Sequence, residues 1–147
     1  MIQPSILQVE DDENDAFLIR QLFKDTGIMN PIRVVTDGQM TMDYLAGTGR
    51  FTDREQYPMP CLVLLDLKLP GKSGLEVLAW IRQQPDLKRL VVIVFTSSAL
   101  PADVNRAYDL GANSFIVKPV QFQATTVLIE RLRDYWLKLN QFSQIQP

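Results

Sequence analysis

Short apolar runs punctuate this chain, and between them apolar residues recur at every third or fourth position. The runs at 5–9, 32–35, 61–65, 90–95 and 114–117 are too short for helices and are bounded by turn residues, so they read as strands. The run at 61–65 has no polar interruption and reads as a strand buried on both faces, whereas Gln8 breaks the first one. Helical spacing follows each strand. Ala16, Ile19, Leu22 and Phe23 form the apolar stripe of a first helix that Gly27 stops. Thr36-Asp37-Gly38 turns into a short second helix reaching about Ala46, and Ser73 with Glu76 forms a capping box for a third. That third helix buries Leu75, Leu78 and Ile81 and ends at Pro85, and a fourth runs from Pro101 to Leu110 with Gly111 as its stop. The last, about 121–140, presents Leu128, Leu132, Tyr135, Trp136 and Leu139 to the sheet. Five strands alternating with five helices predict an α/β fold with parallel strands and right-handed crossovers. Residues 48–60 fit neither period and read as a surface loop, more simply a tolerated insertion than a docking element.

Length and composition narrow the function classes. The 147 residues suit a single domain over 1–147, with a core at about 5–140, a short tail at 141–147 and no output domain. A balance of 15 basic and 17 acidic side chains, without a basic cluster, argues against a nucleic-acid surface. No apolar run approaches a membrane span and the amino terminus has no targeting pattern, so a cytoplasmic location is expected. The single cysteine, Cys61, lies in a core strand and reads as a packing residue. The chain has no histidine, which excludes Ser-His-Asp and Cys-His catalysis and His-ligated zinc. Any phosphohistidine in its chemistry belongs to another protein.

Polar residues stand where the strands stop: Glu10 and Asp11, Asp66, Thr96, and Lys118. Taken singly, each has an ordinary reading. Asp66 serves equally well as a turn-capping residue, Asp11 and Asp12 as charges at a helix start, and Thr96 and Lys118 as ordinary surface groups. A doubly wound, flavodoxin-like, five-stranded parallel sheet of order 2-1-3-4-5 makes the first, third, fourth and fifth strands neighbours, and all these ends then converge. Glu10, Asp11 and Asp66 against Lys118 leave a charge of −2, which a divalent cation balances. Oxygen-only donors point to a hard ion, Mg²⁺ where phosphate is also bound. Asp66 can then attack phosphorus while Lys118 takes up oxygen charge, giving an aspartyl phosphate. Thr96 is expected to turn inward onto a phosphoryl oxygen only when phosphate is present, which makes it a switch.

The segments LQVEDD (7–12), LLDLKLPGKSG (64–74), VFTSSA (94–99) and GANSFIVKP (111–119) together resemble the receiver domain of two-component response regulators, over nearly the whole chain. The resemblance implies Asp66 as phosphoacceptor, with Asp11 and Asp66 as direct Mg²⁺ ligands, the Lys68 backbone carbonyl as a third and Glu10 acting through water. It further implies Thr96 as switch hydroxyl, Phe115 as the aromatic that rotates with it, Lys118 as the phosphate-binding cation, and a cis bond before Pro119. Residues 85–90, the loop at 48–60 and Tyr135-Trp136 are similar to stand-alone regulators paired with phytochrome-type histidine kinases. The partner implied is a sensor histidine kinase, phytochrome-type on this likeness, or a phosphotransfer protein. The protein then acts as a phosphoacceptor, not an enzyme, catalysing only its own phosphorylation and slow dephosphorylation. Signalling is expected through the last two helices and the Phe115 strand, whose contacts with partners, or with a second copy in a homodimer, change on phosphorylation. Two departures stand out: Lys68 places a cation at the pocket mouth, which bears on phosphoryl lifetime, and Ser98-Ala99-Leu100-Pro101 is less charged than in many receivers.

Two other classes fit less well. A haloacid-dehalogenase-type phosphatase needs an Asp two residues after its nucleophile, where this chain has Lys68. An FMN-binding module needs a phosphate loop after the first strand, and Glu10-Asp11-Asp12 repels phosphate there.

Overall fold

The computed structural model of the protein describes residues 4–145. Strands β1 (Ile6–Val9), β2 (Ile32–Val35), β3 (Leu62–Leu65), β4 (Val91–Thr96) and β5 (Ser114–Val117) form one parallel sheet of order β2-β1-β3-β4-β5. Helices α1 (Glu13–Asp25), α2 (Gly38–Ala46), α3 (Gly74–Gln83), α4 (Pro101–Asp109) and α5 (Phe122–Leu132) connect and follow them. Side chains alternate between the faces of a strand, and that period of two divides the interior. Leu7, Val9, Val63, Leu65, Val92 and Val94 face α2, α3 and α4, where Tyr44, Leu45, Val77, Leu78, Ile81 and Ala107 cover them. Ile6, Leu62, Leu64, Ile93 and Phe95 face the opposite layer, Ile19, Leu22 and Phe23 of α1 with Ile129 and Leu132 of α5. Helices on both faces explain why β3 and β4 are buried throughout.

Helix ends follow the expected chemistry. The Asp12 side chain accepts from the Asn14 and Asp15 N–H groups at the start of α1. Ser73 and Glu76 make a reciprocal capping box at α3. Gly27 and Gly111 take positive φ after α1 and α4. In α3, however, Val77 joins Leu78 and Ile81 in the core while Leu75 is only partly buried. Cys61 falls just outside β3, and burial pushes its thiol up to about 11, so it packs and does not react as a thiolate.

Three expectations need correction. Residues 48–60 form an irregular loop as read, but part of it turns into the core and does not lie on the surface. Phe51, in a 3-10 turn (Gly49–Phe51), is buried, and its ring lies 5.1 Å from Tyr44 and 5.0 Å from Tyr57. Arg54 donates to the carbonyls of Tyr44 (2.7 Å), Leu45 (2.9 Å) and Tyr57 (3.2 Å), so its guanidinium caps the carboxyl end of α2. An aromatic-and-arginine plug therefore closes one corner of the core.

The final helix also differs. Thr125, Ile129 and Leu132 are its buried residues, after which Arg133–Leu139 widens to a π-helix closed by an Asn140 N–H to Tyr135 carbonyl bond of 2.7 Å. The wider turn breaks the spacing read from sequence. Leu128 and Trp136 pack partly against the core, and Tyr135 and Leu139 are exposed. Finally, no described peptide is cis, so the bond before Pro119 is trans. The trans form is the commoner isomer, and Lys118 reaches its carboxylate partners with it. Among the described residues no helix is long and apolar enough to cross a membrane.

The plug makes a direct prediction. Phe51→Ala should lower the unfolding free energy by about 3 kcal/mol in urea denaturation, the cost of truncating a buried aromatic. A change under about 0.5 kcal/mol would restore the reading of a tolerated surface insertion.

Candidate functional site

The ladders that order the sheet run one residue past the strands and fix the site's backbone. Val9 lies level with Leu65 in β1 and β3, and the Asp66 N–H then donates to the Val9 carbonyl (3.1 Å). The Glu10 N–H donates to the Val35 carbonyl (3.0 Å), and the Lys118 N–H to the Thr96 carbonyl (2.7 Å). Beyond Asp66 the chain must fold back closely to begin α3. Gly74 makes this possible: a Cβ there would lie 2.2 Å from the Asp66 carbonyl oxygen and 2.6 Å from the Leu67 Cα. Residues distant in sequence are thus set at one edge by backbone bonds before any side chain contributes.

Lys118 is the hub. Its Nζ donates to Glu10 Oε1 in a short contact, to Asp66 Oδ2 at 2.9 Å and to Asp15 Oδ2 at 3.4 Å. The Phe95 ring centroid lies 5.7 Å away on the inner side. Side-chain exposure is 15% for Lys118, 5% for Glu10, 9% for Asp66 and 49% for Asp15, so the first three are largely removed from water and the fourth stands at the rim. The other Asp66 oxygen, Oδ1, accepts from the Thr96 hydroxyl (3.0 Å) and the Lys68 backbone N–H (3.1 Å).

These contacts set the charge states. Burial works against the Asp66 carboxylate, but the hydrogen bonds from Lys118, the Lys68 N–H and Thr96 outweigh it and hold its pKa below the usual range. Asp66 is therefore ionised at neutral pH. Burial likewise opposes the Lys118 ammonium, and its bonds to Glu10 and Asp66 outweigh that and hold it charged. Glu10 goes the other way: burial, with the Asp66 charge adding to it, prevails over Lys118 and raises its carboxyl to about 7. The neighbouring carboxylates do not fully share one ammonium.

Glu10, Asp11 and Asp66 each offer an oxygen within 4.8 Å of the others, a cluster fit for a divalent cation. The structure thus brings together Glu10, Asp11, Asp66, Thr96 and Lys118. Thr96 differs from expectation in one respect: its hydroxyl already points inward, because the Asp66 carboxylate is itself an acceptor. Lys68 enters through its backbone N–H, and its side chain is exposed. Phe115 lies apart on β5, paired with Val94 and packed partly against the α3 side of the core, with its N–H donating to the Tyr108 hydroxyl (3.1 Å).

Asp15 is the residue that sequence reading missed. It lies in the first turn of α1, one turn before buried Ile19 on the same helix face, a spacing that could have placed it beside the sheet. With Asp15 included, Lys118 pairs with three carboxylates, Asp11 stands beside two of them, and the formal charge is −3, not the −2 read from the strand ends.

Comparison with known proteins identifies the family. The response regulator receiver domain family matches residues 6–130. The response regulator Rcp1 of Synechocystis sp. is 37% identical over 133 residues, spanning 90% of this chain and 88% of Rcp1. The crystal structure of Rcp1 in its Mn²⁺-bound form superposes with a TM-score of 0.87 at 35% identity, covering 96% of this chain and 99% of that one. The phosphorylated cyanobacterial phytochrome response regulator RcpA gives a TM-score of 0.90 at 32% identity, with 97% and 99% covered. RPA3017, a response regulator in red light signalling of R. palustris, gives 0.90 at 33% identity, with 96% and 99% covered. This chain belongs to the response regulator receiver family, and its relatives include the phytochrome-associated members.

Proposed function

We propose that this protein is a stand-alone receiver that takes a phosphoryl group from a partner histidine kinase, phytochrome-type on the likeness to RcpA and RPA3017, or from a phosphotransfer protein, onto Asp66. The observation that carries the reading is a mostly buried yet ionised carboxylate whose two oxygens are held by an ammonium, a hydroxyl and a backbone N–H. In the reaction an Asp66 oxygen forms a bond to phosphorus as the P–N bond to the partner's histidine breaks; the bonding pair stays on the departing imidazole nitrogen, which takes a proton from solvent. Lys118 shifts a hydrogen bond from Asp66 to a phosphoryl oxygen, and the Thr96 hydroxyl does the same from Oδ1. Both donors are aimed before reaction, so little reorganisation is needed.

Asp11 and Asp66 are the side chains that would hold Mg²⁺ directly, with the Lys68 carbonyl beside them and Glu10 through water; the ion, when bound, supplies positive charge against the phosphoryl oxygens. Oxygen-only donors and a shared phosphate favour Mg²⁺ over softer ions. Hydrolysis reverses the state: water attacks phosphorus, the Asp66–phosphorus link breaks and inorganic phosphate leaves. No separate substrate is turned over.

Output through protein contacts in the cytoplasm fits the exposed Val117, Val127, Tyr135 and Leu139 of β5, α5 and the π-helix. On this reading the surface meets a partner or a second copy, in a homodimer through the last two helices, and Phe115 conveys the state of Thr96. Neither membrane nor nucleic acid is part of the reading.

Asp66→Asn should abolish Mg²⁺-dependent incorporation of label from a kinase or from acetyl phosphate; undiminished labelling would place the acceptor elsewhere. Asp11→Asn should weaken Mg²⁺ binding at least about tenfold by calorimetry while leaving the unfolding midpoint close to wild type, since Asp11 is exposed. Unchanged Mg²⁺ affinity would remove Asp11 from the ligand set.

A further inference from the structure

Asp15 faces the centre of the site although it is neither the acceptor nor in the cation cluster. Its own N–H is capped by Asp12, which sets the first turn of α1, and its carboxylate lies 3.4 Å from the Lys118 ammonium. A small cavity of about 50 Å³ opens between α1 and α5 at this point, lined among others by Asp15, Ile19, Phe95, Lys118 and Thr125. Lys118 therefore has, besides Asp66, a carboxylate partner in Asp15 and a cavity that Asp66 does not line.

We propose that Asp15 is a positioning residue that draws Lys118 toward the α1 side and so slows the loading of Asp66 by small anionic phosphodonors. The inference rests on Asp66 being the acceptor. Two features act in the same direction. The ammonium must give a hydrogen bond to the incoming phosphoryl oxygen, and every carboxylate already holding it competes for that bond. Asp15 also leaves the site short of neutral: a formal −3 becomes −1 after a divalent cation binds, so an anionic donor meets residual negative charge. Asp15 is half exposed, and a carboxylate there can be answered by a cation on a docking protein, whereas a free acyl phosphate brings none. The residue thereby favours a protein donor over a small one.

The test uses acetyl phosphate at saturating Mg²⁺, with the whole chain as wild type, Asp15→Asn, Asp15→Glu and Glu13→Gln. In the reaction the bond from phosphorus to the acetate oxygen breaks as the bond to Asp66 forms, and acetate leaves. Asp15→Asn should load about threefold faster, within the range a half-exposed ion pair supports. Asp15→Glu, which keeps the charge, should stay near wild type. Glu13→Gln removes an acid from the same helix turn that does not touch Lys118 among the described contacts, and should also stay near wild type. A second readout needs no phosphate: in ¹⁵N spectra selective for lysine ammonium groups, the Lys118 signal should move in Asp15→Asn and not in Glu13→Gln. An unchanged or slower Asp15→Asn, an equal acceleration in Glu13→Gln, or an unmoved Lys118 signal would overturn the inference. Absence of labelling in the wild type, or its persistence in Asp66→Asn, would instead count against Asp66 as acceptor.

Discussion

One ammonium shared among more carboxylates than it can neutralise governs this molecule. Taking Lys118, Glu10 and Asp66 out of water is costly, and their mutual attraction offsets that cost only while every oxygen finds a donor. Asp66 achieves this with three hydrogen bonds from three segments of the chain; Glu10 has Lys118 on Oε1 and the Asp12 N–H on Oε2, and burial still raises its carboxyl. A site in this condition is poised to accept positive charge and to change when negative charge is added. Those are the two events a cation and a phosphoryl group would bring.

Holding such a cluster requires a rigid frame, and the parallel sheet supplies it. The backbone bonds that carry the ladder one residue beyond β1, β3 and β5 are the same bonds that place Glu10, Asp66 and Lys118. Apolar layers on both faces make any slip in register expensive, because a one-residue shift would turn Leu64 and Leu65 to the wrong sides. Gly74 completes the frame by letting α3 start against the Asp66 backbone. Function at the edge is thus inherited from packing in the middle.

Much of this was legible in the sequence because strand ends and turn residues are local signals. The run from Leu62 to Leu65 ending on Asp66, the Ser73-Glu76 box, and the hydroxyl and lysine closing β4 and β5 could be read one stretch at a time, and the sheet order then joined them. What escaped depends on contacts between stretches. Phe51 and Arg54 look like loop residues until Tyr44 and the α2 carbonyls are placed beside them. Asp15 looks like a helix-start charge until Lys118 arrives from the far end of the chain. The π-helical turn at Arg133–Leu139 is a change of backbone period that side-chain spacing alone does not announce, so regular helical spacing puts Tyr135 and Leu139 on the sheet face although both are exposed.

The central claim is that the strand-end carboxylates form one centre fit for a divalent cation beside Asp66. Anomalous diffraction from crystals grown with Mn²⁺ tests it most directly. The account predicts a peak bonded to oxygens of Asp11 and Asp66, with the Lys118 ammonium still beside Asp66. A peak elsewhere, or none at a concentration that supports phosphorylation, would contradict it.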